Sequence, residues 1–360
     1  MKSVTLEQVA RAAGVHRTTV SRALRNHPGI PPATRDRIVK IAKQLGYRPN
    51  PLVSIYQAYV RAHRTPHYHA NIAWIDDQPS PRDWLEKPWL KRYLSGAEQR
   101  AAELGYRIER IRLDEFVELH PDVNVQRFCR ILSARGIHGA ILPRLTHPSL
   151  TSEVWNCAVV EIGRYETWLL HAERARFEPR TWHSVQPNLF FNVQKALHSL
   201  WHLGYRRPAL VISRWYDRTQ GFALRGGYLA EQFELAFKQR LPPFLYEEFH
   251  EGTIPELGGW LERWRPDAII CADSRVAGAL ERLGYRIPET MGLAHLSLAD
   301  DVKGWSGIDE QHELIGSAAV DLIVSQLEHN ERGLPANPRC VLIDGIWVNG
   351  STTRRSADRM

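Results

Sequence analysis

His16, Arg17, Thr18, Ser21 and Arg22 fall within one short stretch, and their spacing puts them on the outer side and at the start of a helix. At about 100° per residue, positions 17, 18, 21 and 22 share one arc of roughly 140°. Val20 and Leu24 face inward. These are hydrogen-bonding groups with no nucleophile beside a base, so the chemistry on offer is recognition. An arginine can donate in bidentate fashion to guanine O6 and N7, and a threonine can bond a base or pack its methyl on thymine. Thr5, Ser21 and Thr34 are placed to meet phosphate oxygens, helped by amides at helix starts. The pattern suits a helix lying in the DNA major groove.

Three short helices position that arc. Thr5-Leu6-Glu7-Gln8 fits a capping box, with Thr5 as N-cap and Gln8 reaching back. Leu6, Val9, Ala10 and Ala13 then form one apolar face, and Gly14 ends the helix where a left-handed residue is needed. The second helix runs from about Arg17 to Arg25. Pro31 and Pro32 open a third, with Ile38, Ile41, Ala42 and Leu45 inward. It stops at Gly46, and Pro49 and Pro51 bar its continuation.

Charge points the same way. The chain has 360 residues and a net charge of +7. Residues 1–64 hold 12 Lys/Arg against 2 Asp/Glu, whereas the remainder holds 35 against 38. The basic excess therefore lies wholly in the N-terminal segment, the electrostatic footprint of a polyanion-binding head. The charges sit in periodic helices, which disfavours a basic membrane-binding tail.

Residues 49–70 read as a linker with a short helix from about Leu52 to Ala62. Beyond it, apolar strands at 72–75, 108–111, 140–142, 158–162, 210–213, 268–271 and 293–296 alternate with helices at 93–104, 125–134, 189–203 and 276–283. That βαβα rhythm implies parallel sheets with helices on both faces. The tetrapeptide Leu-Gly-Tyr-Arg recurs at 45, 104, 203 and 283. Its spacing is too irregular for a solenoid, and each copy reads as a helix ending on a C′ glycine. The length suggests two or three domains, and no apolar run is long enough for a membrane span or signal peptide. Cys129, Cys157, Cys271 and Cys340 are far apart and read as buried free thiols, as in a reducing cytoplasm.

From Val4 to Asn50 the chain resembles the head of a LacI/GalR-family transcriptional regulator. The matching residues are Val4-Thr5-Leu6, Val9-Ala10, Ala13-Gly14-Val15, Thr19-Val20-Ser21-Arg22, Thr34-Arg35, Gly46-Tyr47 and Pro49-Asn50. The resemblance implies a helix-turn-helix head (1–50), a hinge (51–69) and a two-lobed, periplasmic-binding-protein-like α/β body (70–360). It places the first lobe at about 70–163 and 290–322 and the second at 164–289 and 323–360. It further implies a cytoplasmic homodimer on a palindromic operator, a repressor modulated by a small-molecule effector such as a sugar. Asn50 belongs to the DNA-binding set, and Tyr56 stands where the family's minor-groove leucine wedge is expected. Pro31 replaces a common phosphate-contacting serine.

Doubly wound lobes bind ligands at the carboxyl ends of their strands. Asp273 follows the strand at 268–271 and could accept ligand hydroxyl hydrogens or cap the next helix. Trp215, just past the strand at 210–213, offers an aromatic face to a sugar ring, and Asp76 and Asp77 close the strand at 72–75. Two family ligand positions are altered. Leu224 stands where an arginine is expected, with Arg225 one residue off, and Ser297 replaces an acidic residue. These changes also fit an effector-independent architectural DNA binder whose body serves only dimerisation. The segment Gly307-Ile308-Asp309-Glu310-Gln311 followed by Gly316 resembles a crossover between lobes, returning the chain to the second. No catalytic motif is present: there is no Walker loop, nucleophile elbow or His-Glu-x-x-His. His67-x-His69 reads as solvated linker, and no metal or cofactor is expected.

Overall fold

In this computed structural model, residues 4–24, 27, 29–47, 70–76, 88–112, 125–143, 156–163, 182–235, 239–298 and 302–354 are described. The head is three helices, α1 (Leu6–Ala13), α2 (Arg17–Leu24) and α3 (Pro32–Gln44). Thr5 closes the expected capping box: its N–H donates to Gln8 Oε1 at 2.8 Å, and Gln8 N–H donates to Thr5 Oγ1 at 3.4 Å. Gly14 turns the chain with φ 65°, a left-handed conformation in which a side chain would be strained. Val9, Ala10, Ala13, Val20, Ala23, Ile38 and Ala42 are buried together. The small alanines let the helices approach closely. Arg37 Nη1 adds a bond to Ala13 O at 3.1 Å, tying α3 to the end of α1.

The first lobe begins with β1 (Ala70–Asp76), α4 (Pro88–Glu103), β2 (Tyr106–Arg112), α5 (Val125–Ala134), β3 (Gly139–Leu142), β4 (Ala158–Ile162) and β5 (His183–Pro187). The chain then crosses to build α6 (Leu189–His202), β6 (Pro208–Ser213), α7 (Arg214–Thr219), α8 (Ala223–Glu234), β7 (Phe244–Tyr246), α9 (Thr253–Trp264), β8 (Ala268–Cys271), α10 (Arg275–Arg282), β9 (Gly292–His295) and β10 (Ser306–Asp309). It returns for α11 (His312–His329) and β11 (Cys340–Ile343), then crosses once more for β12 (Ile346–Val348). The two six-stranded sheets have orders β11-β5-β4-β3-β1-β2 and β12-β10-β9-β8-β6-β7. Every pairing is parallel except β10–β12. Each sheet is apolar on both faces and packs two buried clusters, as parallel sheets require.

The lobe boundaries differ from those expected. β5 joins the first sheet although 164–289 was assigned to the second lobe, and β9 and β10 join the second sheet although 290–322 was assigned to the first. β11, within 323–360, pairs with β5 in the first sheet. The segment at 307–316 is indeed a crossover, but there the chain passes from second lobe to first. β5 reads His-Ser-Val-Gln-Pro, too polar to announce a strand, and β11, though apolar (Cys-Val-Leu-Ile), has only four residues and alternates in exposure at the sheet edge.

The glycine reading of the recurring tetrapeptide agrees with the backbone. Gly46, Gly105, Gly204 and Gly284 have φ of 70, 81, 89 and 86°, each just past a helix. α11 lies across α4 in the first lobe at a close crossing: a Cβ on Gly96 would overlap Glu313 O, and one on Gly316 would overlap Tyr93 O. Cys157 and Cys271 are buried, but Cys129 is only partly so and Cys340 is exposed on β11, contrary to expectation. Burial pushes the Cys271 thiol up to about 12.

Candidate nucleic-acid interface and ligand cleft

On α2, Val20 and Ala23 are buried against the head's core, while Arg17, Thr18 and Arg22 are exposed and Ser21 is half-buried. The arc anticipated from spacing is therefore the solvent face. Thr5 is exposed at the start of α1, and Thr34 is half-buried in the first turn of α3. His16 is exposed as well, but its ring is engaged: Nδ1 accepts from Thr18 N–H at 3.4 Å and lies 2.9 Å from Thr18 Oγ1. It caps α2, a role the sequence did not suggest for it. No acidic residue stands in the first turn of α2, so no carboxylate offsets its positive helix end. Asn50 and Tyr56 lie outside the described residues.

In the second lobe, the carboxyl ends of β6, β7 and β8 surround a cavity of about 310 Å³. Trp215 and Tyr216 line one side, Tyr246 and Phe249 another, and Asp273 and Arg275 the third. Trp215 is 48 % exposed, a large apolar ring held in the open. Asp273 accepts from Arg275 N–H at 3.0 Å, Arg275 Nη2 at 2.7 Å and Tyr246 O–H at 3.3 Å. Burial alone would raise the Asp273 carboxyl, but the bonds from Arg275 outweigh it and hold it below the usual carboxylate range. Burial and the neighbouring Asp273 push the Tyr246 phenol far up, so it stays a donor. Asp273 thus receives the first amide of α10 and also lines the cavity. Glu247 and Glu248 add two further carboxylates to the rim.

Sequence reasoning found Trp215 and Asp273 but missed Tyr246, Phe249 and Arg275. β7 has three residues, too few to show a periodicity, and Arg275 was hidden in the first turn of a helix. Arg225, proposed from sequence as a ligand residue, does not line this cavity. It pairs with buried Asp217 (Nε to Oδ2 3.2 Å) and stacks on Phe222, joining α7 to α8. Leu224 is wholly buried in the second lobe's core. Ser297 carries no charge, yet its Oγ donates to Glu310 Oε2 at 2.5 Å, and His312 Nε2 lies 3.3 Å from the same oxygen. A buried carboxylate therefore reaches this position from the crossover. Asp76 ends β1, buried, with Arg110 at 3.6 Å, and Asp77 lies outside the described residues.

The three crossovers bond one another. Asn188 N–H donates to Ile343 O at 2.8 Å, Gln311 Nε2 to Asp344 O at 2.7 Å, and Gly345 N–H to Asn192 Oδ1 at 2.8 Å. Arg92 of α4 adds a clasp across the lobes, reaching Leu298 O at 3.2 Å, Asp309 at 3.2 Å and Glu313 at 2.7 Å. Its bond to Glu313 leads the causes that raise the guanidinium. Among the described residues, no group of three or more His, Cys, Asp or Glu could hold a metal, and no helix is long and apolar enough to cross a membrane.

Two family models match this chain: bacterial regulatory proteins of the lacI family over residues 5–50, and the periplasmic binding protein-like domain over residues 197–353. The sucrose operon repressors of Escherichia coli and Shigella flexneri are 25 % identical over 366 residues, covering 94 % of this chain and 98 % of theirs. Head and body together match the LacI/GalR family. The protein is a DNA-binding transcription regulator of LacI type. Its fold is that of solved relatives. A CelR–cellobiose complex superposes with TM-score 0.56 at 18 % identity, covering 97 % of this chain and 99 % of that one. A lac repressor dimer bound to operator and an anti-inducer superposes with TM-score 0.53 at 16 % identity, covering 98 % and 100 %.

Proposed function

We propose that this regulator represses transcription from a palindromic operator as a cytoplasmic homodimer, and that a neutral sugar held in the second lobe sets its affinity for DNA. Each protomer lays α2 in the major groove. Arg17 and Arg22 donate to guanine edges, Thr18 meets a neighbouring base, and Thr5, Ser21 and Thr34 bind phosphates. Two protomers give two half-sites, so the operator is an inverted repeat.

The observation that carries the effector reading is the cavity at the ends of β6, β7 and β8. Trp215 offers a stacking face, and Tyr246 and Phe249 supply more aromatic wall. Asp273, Glu247 and Glu248 face one arginine, Arg275, in its lining. That balance disfavours an anion and suits a hydroxyl-rich neutral ring. The full-length likeness to sucrose operon repressors supports the same class. The mechanism is linkage: the sugar shifts DNA affinity only as far as it prefers one arrangement of the lobes.

Calorimetric titration with a panel of neutral mono- and disaccharides tests it. Binding by at least one sugar, weakened by Trp215→Ala, is expected. The rival reading, a body used only for dimerisation, is favoured by buried Leu224 and by Arg225 being held by Asp217. Silence across the whole panel selects that rival.

A further inference from the structure

His16 stands where a serine or threonine hydroxyl ordinarily caps a helix. The amide of Thr18 donates to His16 Nδ1 at 3.4 Å. An amide N–H only donates, so this nitrogen carries no proton. The 2.9 Å bond between Nδ1 and Thr18 Oγ1 must then run from the hydroxyl to the ring. A neutral ring with bare Nδ1 carries its hydrogen on Nε2. Thr18 has one hydroxyl hydrogen, and it is turned inward to the ring. Outward, Thr18 offers only oxygen lone pairs and a methyl group, while His16 offers an Nε2–H donor. Both residues are exposed, and Thr18 lies on the arc of α2 that carries Arg17 and Arg22.

We propose that His16 and Thr18 form one polarised reading unit, in which Thr18 meets DNA as an acceptor and a methyl surface and not as a donor. The inference rests on the reading that α2 lies in the major groove. There, adenine and cytosine present amino donors, thymine a methyl, and guanine two acceptors. Thr18 accordingly suits an A·T pair, with the adenine amino group on Oγ1 and the thymine methyl against its own. It tolerates the cytosine amino group and rejects guanine, whose O6 would face its lone pairs. A threonine with a freely turning hydroxyl would donate to guanine as readily as it accepts from adenine.

The full-length protein tests this with an operator obtained by selection from random duplexes. Dissociation constants are measured for every single-pair substitution with wild type, His16→Ser, Thr18→Val, Arg17→Ala and Arg22→Ala. A serine at position 16 still caps α2, but its hydroxyl can donate to Thr18 Oγ1 and release the threonine hydrogen. Wild type is expected to disfavour guanine about tenfold at one position per half-site, the usual cost of a mismatched pair. His16→Ser narrows that gap to about twofold. An unchanged gap in both His16→Ser and Thr18→Val overturns the proposal. If the two arginine variants also leave every base preference unmoved, the major-groove reading itself falls, and this inference with it. A second readout needs no variant to fold. Nitrogen-15 spectra of the histidine-labelled chain should show His16 with its hydrogen on Nε2, and an Nδ1–H form overturns the assignment.

Discussion

Arg17 and Arg22 keep their guanidinium groups exposed on a helix whose other face is buried, so on the proposed reading losing one removes a base contact without disturbing the fold. Arg17→Ala should cost about 1–3 kcal/mol on the best operator and relax preference at one position. Equal weakening on all sequences, measured by competition with mixed DNA, would mark it as a phosphate contact instead. Thr5→Ala removes one half of a closed capping box and should lower stability by about 1 kcal/mol in chemical denaturation. At this scale the sequence was informative wherever spacing alone fixes direction, as with positions 17, 18, 21 and 22. It was silent where a partner decides. Arg225 looks available until Asp217 is seen beside it, on a separate short helix that no periodicity announced. His16 looks like an independent side chain until its ring is found bound to Thr18 at the start of α2.

Among the elements, the crossing of α4 and α11 is the tightest joint in the first lobe. Alanine gains about 1 kcal/mol over glycine in helix propensity, but a methyl at position 96 would overlap the backbone of α11. Backbone yields less than side chains, so overpacking wins and Gly96→Ala should destabilise by about 1–3 kcal/mol. Gly259 provides the internal contrast. It sits in α9, and a methyl added there would meet nothing within 4 Å, so Gly259→Ala should stabilise by about 0.5–1 kcal/mol. Denaturation midpoints that move in the same direction for both would refute the packing argument. The long amphipathic helices and fully buried strands were legible because their apolar periods are strong; 125–134 is a helix with the expected bounds. β5, β7, β11 and β12 were not, being short, polar or at an edge. Missing β5 and β11 displaced the boundaries near 164 and 323, and reading the crossover at 307–316 in the wrong direction put β9 and β10 in the wrong lobe.

Across the whole molecule, the lobes meet through three crossovers and the Arg92 clasp. The bond from Arg92 leads the causes that hold the Glu313 carboxyl below its usual range. A lowered folded value stabilises above the ordinary glutamate range and loses that contribution as pH falls through the folded value. Arg92→Gln should therefore cost stability at neutral pH, by about 1 kcal/mol or less because Glu313 is half-exposed and screened. The difference from wild type should fade in acid, as seen in thermal unfolding followed across pH. A deficit that persisted unchanged below the carboxylate range would place the role of Arg92 in packing. The charge division between head and body was plain from sequence. The clasp was not, because it joins residues more than two hundred positions apart.

The central claim, a dimeric regulator that reads DNA with α2, is tested most directly by selecting bound duplexes from random DNA with the full-length protein. The account predicts an inverted repeat, with guanines in each half-site whose selection is lost in Arg17→Ala and Arg22→Ala. Enrichment of no sequence, or of an asymmetric site indifferent to those substitutions, would contradict it.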